Sequence, residues 1–223
     1  MKTAFYLALL TPYLLLCQPN VTKNIGDFTE LKVYDLLNVE LTPSDTNRIE
    51  IFGVDAGQVQ VINKNGTLKL RMALPRTFDG ADINATLYYK SLFTVDANEG
   101  AVVYSSSPIQ ATSFECRAQE GARIELSIDA SFIESKSYSG GVINLSGMSD
   151  KHAIKVNTGG VVNAQKLQTT DTDVRIRAGG EVNCYVTGLL TTDIKAGGDV
   201  HVYGSPKTVS KSNLIGGRVV LMN

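Results

Sequence analysis

Apolar and polar residues alternate along this chain in short runs, and in its second half each run opens on a Gly-Gly or Gly-Ala pair. The pairs are Gly80-Ala81, Gly100-Ala101, Gly121-Ala122, Gly140-Gly141, Gly159-Gly160, Gly179-Gly180, Gly197-Gly198 and Gly216-Gly217, with first glycines 18 to 21 residues apart. The third and fifth positions after the first glycine are Ile124/Leu126, Ile143/Leu145, Val162/Ala164, Val182/Cys184, Val200/Val202 and Val219/Leu221. The positions between them are mostly polar, as in Glu181/Asn183/Tyr185 and Asp199/His201/Tyr203. A period of two predicts a strand with one buried face. A second strand precedes each pair, with Ile154/Val156, Val174/Ile176 and Ile194 inward and Lys155, Arg175 and Lys195 outward.

One such unit cannot bury its apolar face alone. Stacked copies can, and each backbone amide then pairs with the winding above or below. The pattern predicts an all-β fold, a right-handed parallel β-helix (solenoid) with turns of about 19 residues, the glycine pairs forming the corners. About eight to ten turns at roughly 4.8 Å would give a rod on the order of 40–45 Å. Leucine-rich, hexapeptide and calcium-binding nonapeptide repeats do not fit the spacing or the column residues, and no stretch has the helical period.

The N-terminal part is less regular. Phe28 to Leu41 alternates as a strand pair, and Val59 to Leu70 reads as a hairpin turning at Asn65-Gly66. The expected organisation is a leader over 1–17, a β-rich part over 18–95 and a regular solenoid over 96–223, with one continuous core. Residues 18–95 could be a strand-rich lead-in or early solenoid turns carrying an inserted hairpin.

Composition narrows the function classes. Lys+Arg number 21 against Asp+Glu 22, for a net charge of −1, so bulk charge does not suit the chain to nucleic acid. Three Cys and two His argue against a disulfide framework and a Cys/His zinc site, and no cofactor is expected. Lys2 followed by the apolar run Phe5–Leu16 reads as an export signal. The run ends at Cys17, which suggests lipidation there, although Leu16 is larger than the residue usually found before a lipidated cysteine. Plain secretion and a chance apolar start are the other readings. The expected address is the outer membrane or cell surface, or else the periplasm or medium, with membrane contact only through the lipid anchor.

The lead-in strand Phe28-Thr29-Glu30-Leu31-Lys32-Val33, the strand Asn65-Gly66-Thr67-Leu68-Lys69-Leu70 and the closing run Ala196-Gly197-Gly198-Asp199-Val200-His201-Val202-Tyr203-Gly204-Ser205-Pro206-Lys207 together resemble the head GIN domain family of auto-transporter adhesin-like proteins of Bacteroidota-type envelopes. The resemblance spans nearly all of the mature chain. It implies an exported, largely lipoprotein membership, a right-handed β-helix, and adhesion rather than catalysis.

Parallel β-helices also carry polysaccharide lyases and hydrolases, which need clustered carboxylates. Glu181 and Asp199 fall one rung apart beside Arg218, a pattern expected of a neutralised surface pair. Asp171 and Asp173 are expected in a turn by ordinary turn chemistry. His152 is expected in a turn before Ile154, and His201 facing out, both as lone surface histidines. Cys116 and Cys184 are expected as buried, unpaired thiols. The outward column Asn144, Asn163, Asn183, His201 predicts an amide ladder. Tyr185 and Tyr203 stack beside it, and the whole forms a candidate recognition strip for a glycan or a surface protein. Val219 and Leu221 on the last strand would expose an apolar end suited to a homotypic or partner contact, unless loop 204–215 covers it. These features favour a non-enzymatic surface protein, an adhesin or scaffold module, over a polysaccharide-binding or polysaccharide-active one. A concave groove with three acids and a Lys or Arg would reverse that order.

Overall fold

A computed structural model describes residues 21–222. The regular part is built from β8 (Thr94–Ala97), β9 (Val102–Ser105), β10 (Ile109–Ala118), β11 (Arg123–Tyr138), β12 (Val142–Asn157), β13 (Val161–Ile176), β14 (Glu181–Val186), β15 (Leu189–Ala196), β16 (Asp199–Tyr203), β17 (Thr208–Ile215) and β18 (Arg218–Leu221). All of their pairings are parallel and about one winding apart. The result is a parallel β-solenoid of about seven turns, somewhat fewer than the repeat count suggests. Val162, Val182, Val200 and Val219 lie in one file, directly paired rung to rung, and all but the last are fully buried.

The glycine pairs form one set of corners. In the earlier windings the left-handed pair is a polar residue and the first glycine, such as Thr158 (φ 51°) and Gly159 (φ 72°). In the later ones it is both glycines, such as Gly179 (φ 63°) and Gly180 (φ 134°). Gly160 has an ordinary φ but a different constraint. A Cβ there would sit 2.3 Å from the Ser137 carbonyl oxygen of the winding below. The corner glycines thus serve dihedral freedom at one site and close stacking at the next.

The first part of the chain is early solenoid, wound out of order. It contains β1 (Val21–Asn24), β2 (Glu30–Val33), β3 (Asn38–Pro43), β4 (Arg48–Phe52), β5 (Val59–Lys64), β6 (Thr67–Met72) and β7 (Asn84–Tyr89). Strand β2 pairs in parallel with both β6 and β8, and β3 with both β7 and β9. The β2–β3 winding therefore lies between the winding that follows it and the third one. Antiparallel strands close the outer edge: β5 folds onto β6 through the Asn65-Gly66 turn, β4 lies on β7, and β1 lies on β4. One apolar cluster runs from Phe28 to Val202 without a break, so the two parts share a core.

Three expectations on the regular part are corrected. Residues 208–215 form β17, a ladder strand on β15, and are not a cover for the end. Asp171 and Asp173 lie within β13 rather than in a turn. His152 is not on the surface: it sits inside β12 at 2 % exposure, because its position falls in the inward column between Ile133 and Thr172.

Candidate functional site

Each long strand breaks its pairing at a second corner, marked by Ser131, Asp150 and Thr170. Just before that corner one outward column runs Gln110, Asp129, Met148, Gln168, Tyr185, Tyr203. The two expected tyrosines are thus paired, and they continue a longer polar column that the sequence reading missed. The ring of Tyr185 lies against Gly204, where a Cβ would come within 3.2 Å of it. Along the second corner a groove of about 460 Å³ is lined by Gln110, Asp129, Met148, Asp150, Gln168 and Tyr185, among others.

A bulge shapes this region. Against β14, the partners step from Ala164↔Cys184 to Gln168↔Tyr185, leaving Gln165, Lys166 and Leu167 unmatched in β13. The bulge widens that winding and steps the surface beside Tyr185, a common device for re-aiming side chains next to binding sites. A second hollow of about 310 Å³ on its other flank is lined by Glu125, Asn144, Asn163, Gln165 and Lys166 among others.

The amide ladder forms as the column predicts. Asn163 Nδ2 donates to Asn144 Oδ1 at 2.9 Å, and Asn183 Nδ2 donates to Asn163 Oδ1 at 2.9 Å. Asn183 Nδ2 also donates to Glu181 Oε1 at 2.8 Å. Because the amides spend these groups on one another, the ladder acts mainly as a spine, and the free polar capacity lies in the groove. His201 continues the column, with Nδ1 3.8 Å from Glu181 Oε1. Asp199 is held in a two-pronged pair by Arg218, Nε to Oδ1 at 2.9 Å and Nη2 to Oδ2 at 2.7 Å. Those hydrogen bonds draw its carboxyl below the usual carboxylate range. The Glu181/Asp199 pair is therefore engaged on both sides. The groove lining carries two acids, Asp129 and Asp150, and no Lys or Arg, fewer than the three acids with a base that would reverse the order of the two functional readings.

The face before the glycine corners carries ladders that sequence reasoning only half saw. Glu115, Lys136, Glu134 and Lys155 alternate across three rungs, with Arg117 gripping Glu115 at 2.7 and 2.8 Å and Lys155 Nζ 2.6 Å from Glu134. Burial alone would raise the Glu115 and Glu134 carboxyls, but hydrogen bonds from Arg117, Lys136 and Lys155 bring both below their ordinary value. Cys116 and Cys184 are buried and free, as expected, and burial pushes both thiols up, Cys184 to about 12. Val219 is half-buried and Leu221 is 49 % exposed, on a strand paired only with β16 among the described residues. Cys17 lies outside the described residues.

The chain is thus a parallel β-solenoid with a polar, tyrosine-ended groove across its windings. Sequence comparison then places the chain in a family: residues 27–206 match the one described as "Putative auto-transporter adhesin, head GIN domain", and the chain belongs to it. No curated protein matches it. A crystal structure of a putative adhesin from Bacteroides fragilis is similar at TM-score 0.84 and 16 % identity, covering 91 % of this chain and 95 % of that one. One of a putative adhesin from Parabacteroides merdae has TM-score 0.70 and 18 % identity, with the same coverages. A third, titled putative lipid binding protein, from Parabacteroides distasonis, has TM-score 0.67 and 20 % identity, covering 92 % and 99 %. At these identities the likeness is one of fold.

Proposed function

We propose that this protein is a non-enzymatic surface module, exported and held by a lipid on Cys17, that binds a glycan or a surface protein along its second corner. The observation that carries this reading is the groove, whose column of Gln110, Asp129, Met148, Gln168 and Tyr185 sits on stacked rungs of one rigid sheet. Side chains fixed on a sheet lose little freedom on binding, so weak contacts repeated rung by rung add up. Glutamine amides and hydroxyls suit sugar hydroxyls, Tyr185 offers an apolar platform with a polar tip, and the absence of a groove cation argues against an anionic glycan.

The test is a glycan and surface-protein array probed with residues 20–223, which contain every described strand, alongside Tyr185→Ala/Tyr203→Ala and Gln168→Ala. The expected result is a ligand whose binding falls at least about tenfold in both variants, the loss of a hot-spot contact. Binding that survives both variants, or no array ligand at all, refutes the groove. Palmitate incorporation lost in Cys17→Ser would support the anchor, and none in the wild-type chain would refute it.

A further inference from the structure

At the closed end of the solenoid, three large apolar side chains point into solvent from two adjacent loops: Val54 at 99 % exposure, Leu74 at 74 % and Phe78 at 56 %. Arg76 of one loop reaches Asp55 of the other at 3.9 Å, and a Cβ on Gly53 would strike the Asp82 carbonyl at 2.8 Å. The second loop is braced: buried Asp35 accepts hydrogen bonds from the backbone N–H of Met72 at 3.0 Å and of Phe78 at 3.2 Å. Phe78 is held at φ 67°, a conformation bulky residues rarely adopt. A loop pinned by a buried carboxylate, with a strained phenylalanine held outward, presents apolar surface in a fixed way.

The position of the chain's entry identifies the occupant. Strand β1 starts at Val21, which pairs with Ile51, so the chain enters beside the Gly53–Asp55 loop. Three residues, Gln18 to Asn20, lie between Cys17 and Val21, and the apolar run Phe5–Leu16 lies just before. Fully extended, the four backbone steps from Cys17 to Val21 span at most about 14 Å. Whatever holds Cys17 at a bilayer therefore holds this corner against it. We infer that Val54, Leu74 and Phe78 insert into the lipid surface as a second attachment, setting the rod upright on its closed end.

A single acyl-type anchor leaves a domain free to swivel, and a second contact fixes it. Charges of both signs surround the patch: Arg76 is paired with Asp55 and with Asp79 at 3.4 Å, Asp82 lies beside Gly53, and Asp35, Lys69, Arg71 and Glu99 line the hollow next to Leu74. They do not favour anionic headgroups, so insertion is apolar and insensitive to salt. The inference takes its setting from the anchoring reading, but its test does not use Cys17.

The chain contains no Trp, so Phe78→Trp adds a single fluorophore. Residues 20–223 with a histidine tag before residue 20 would be tethered to phosphatidylcholine vesicles carrying a nickel-chelating lipid. The expected result is a blue-shifted emission quenched by lipids brominated on their acyl chains, unchanged in high salt or with phosphatidylglycerol added. Phe132→Trp, on the solenoid side at 39 % exposure, should stay solvent-like and unquenched. Adding Val54→Ser and Leu74→Ser to Phe78→Trp should abolish the shift. A solvent-like Trp at position 78 on tethered, strand-folded protein overturns the inference, as does equal quenching at position 132. A failed palmitate labelling with a quenched Trp at 78 would overturn only the anchor.

Discussion

Acidification should destabilise this protein through one buried imidazole. His152 sits among Ile133, Ser135 and Thr172 in the inward columns of β11–β13, with Nε2 2.8 Å from Ser135 Oγ and Nδ1 buried without a partner among the described residues. A proton on Nε2 donated to Ser135 leaves Nδ1 as a bare lone pair, the cheaper way to bury an unpaired ring nitrogen. Burial lowers its pKa from 6.5 to about 3. The unfolded chain therefore takes up a proton near pH 6.5 that the native state refuses. Stability from this group is complete above that pH and is lost as pH falls from 6.5 towards 3. At pH 5 the loss is about 2 kcal/mol, and near pH 3 it approaches about 4–5 kcal/mol, at about 1.4 kcal/mol per pH unit. Denaturant melts at pH 7.5, 6.5, 5.5 and 5.0 would measure it on wild type and His152→Gln. His152→Gln can still donate to Ser135 but does not titrate, so its stability should fall less steeply than that of the wild type over that range. Equal slopes in wild type and His152→Gln would refute the argument.

Other outcomes follow from the same geometry. Below about pH 4.5 a further loss should appear from Glu115 and Glu134, whose lowered pKa values contribute stability present above the unfolded value and lost as they protonate; Glu115→Gln should shrink that acid phase in the same melts. Gly160→Ala should cost about 2 kcal/mol or more by denaturant titration, since its Cβ would meet the Ser137 carbonyl; a neutral result would mean the rungs can part. Asn163→Ala removes both amide contacts of the ladder's middle member and should cost about 1–2 kcal/mol, whereas Tyr185→Ala should change binding more than stability. Neither Cys116 nor Cys184 should react with a thiol reagent until the protein unfolds.

The regular half was legible because the same few rules repeat at every winding. Alternation set the inward file of Val162, Val182 and Val200, and the glycine pairs set its corners, so the Asn144–Asn163–Asn183 contacts could be expected before any coordinates. What failed did so where a residue broke its column's chemistry. His152 reads as a surface residue by type, yet strand parity puts it inside, a case where position outweighs polarity because Ser135 supplies a partner. The bulge at Gln165–Leu167 had no sequence signature beyond three extra residues, and it was the bulge that stepped the surface beside Tyr185. The out-of-order stacking of β2 between β6 and β8 could not be read at all, because local pattern fixes which face a strand buries but not which neighbour it takes.

That stacking order also relates the two ends of the molecule. Because β2–β3 lies inside, with β6–β7 stacked over it and the earlier strands β4, β1 and β5 set beyond β6–β7, the edge nearest the chain's entry carries antiparallel strands. Growth along the rod can then proceed in one direction only, from β8 to β18. The column from β7 through β3, β9, β11, β12 and β13 to β14 contains six steps, which at about 4.8 Å each lifts Tyr185 roughly 29 Å above β7, with β4 and β1 lying beyond it at the closed end. A groove on the first windings would lie among lipid headgroups if that end meets the membrane. On β10–β14 it clears them, so the topology that is hardest to read from the sequence is also what sets the height at which the recognition surface stands.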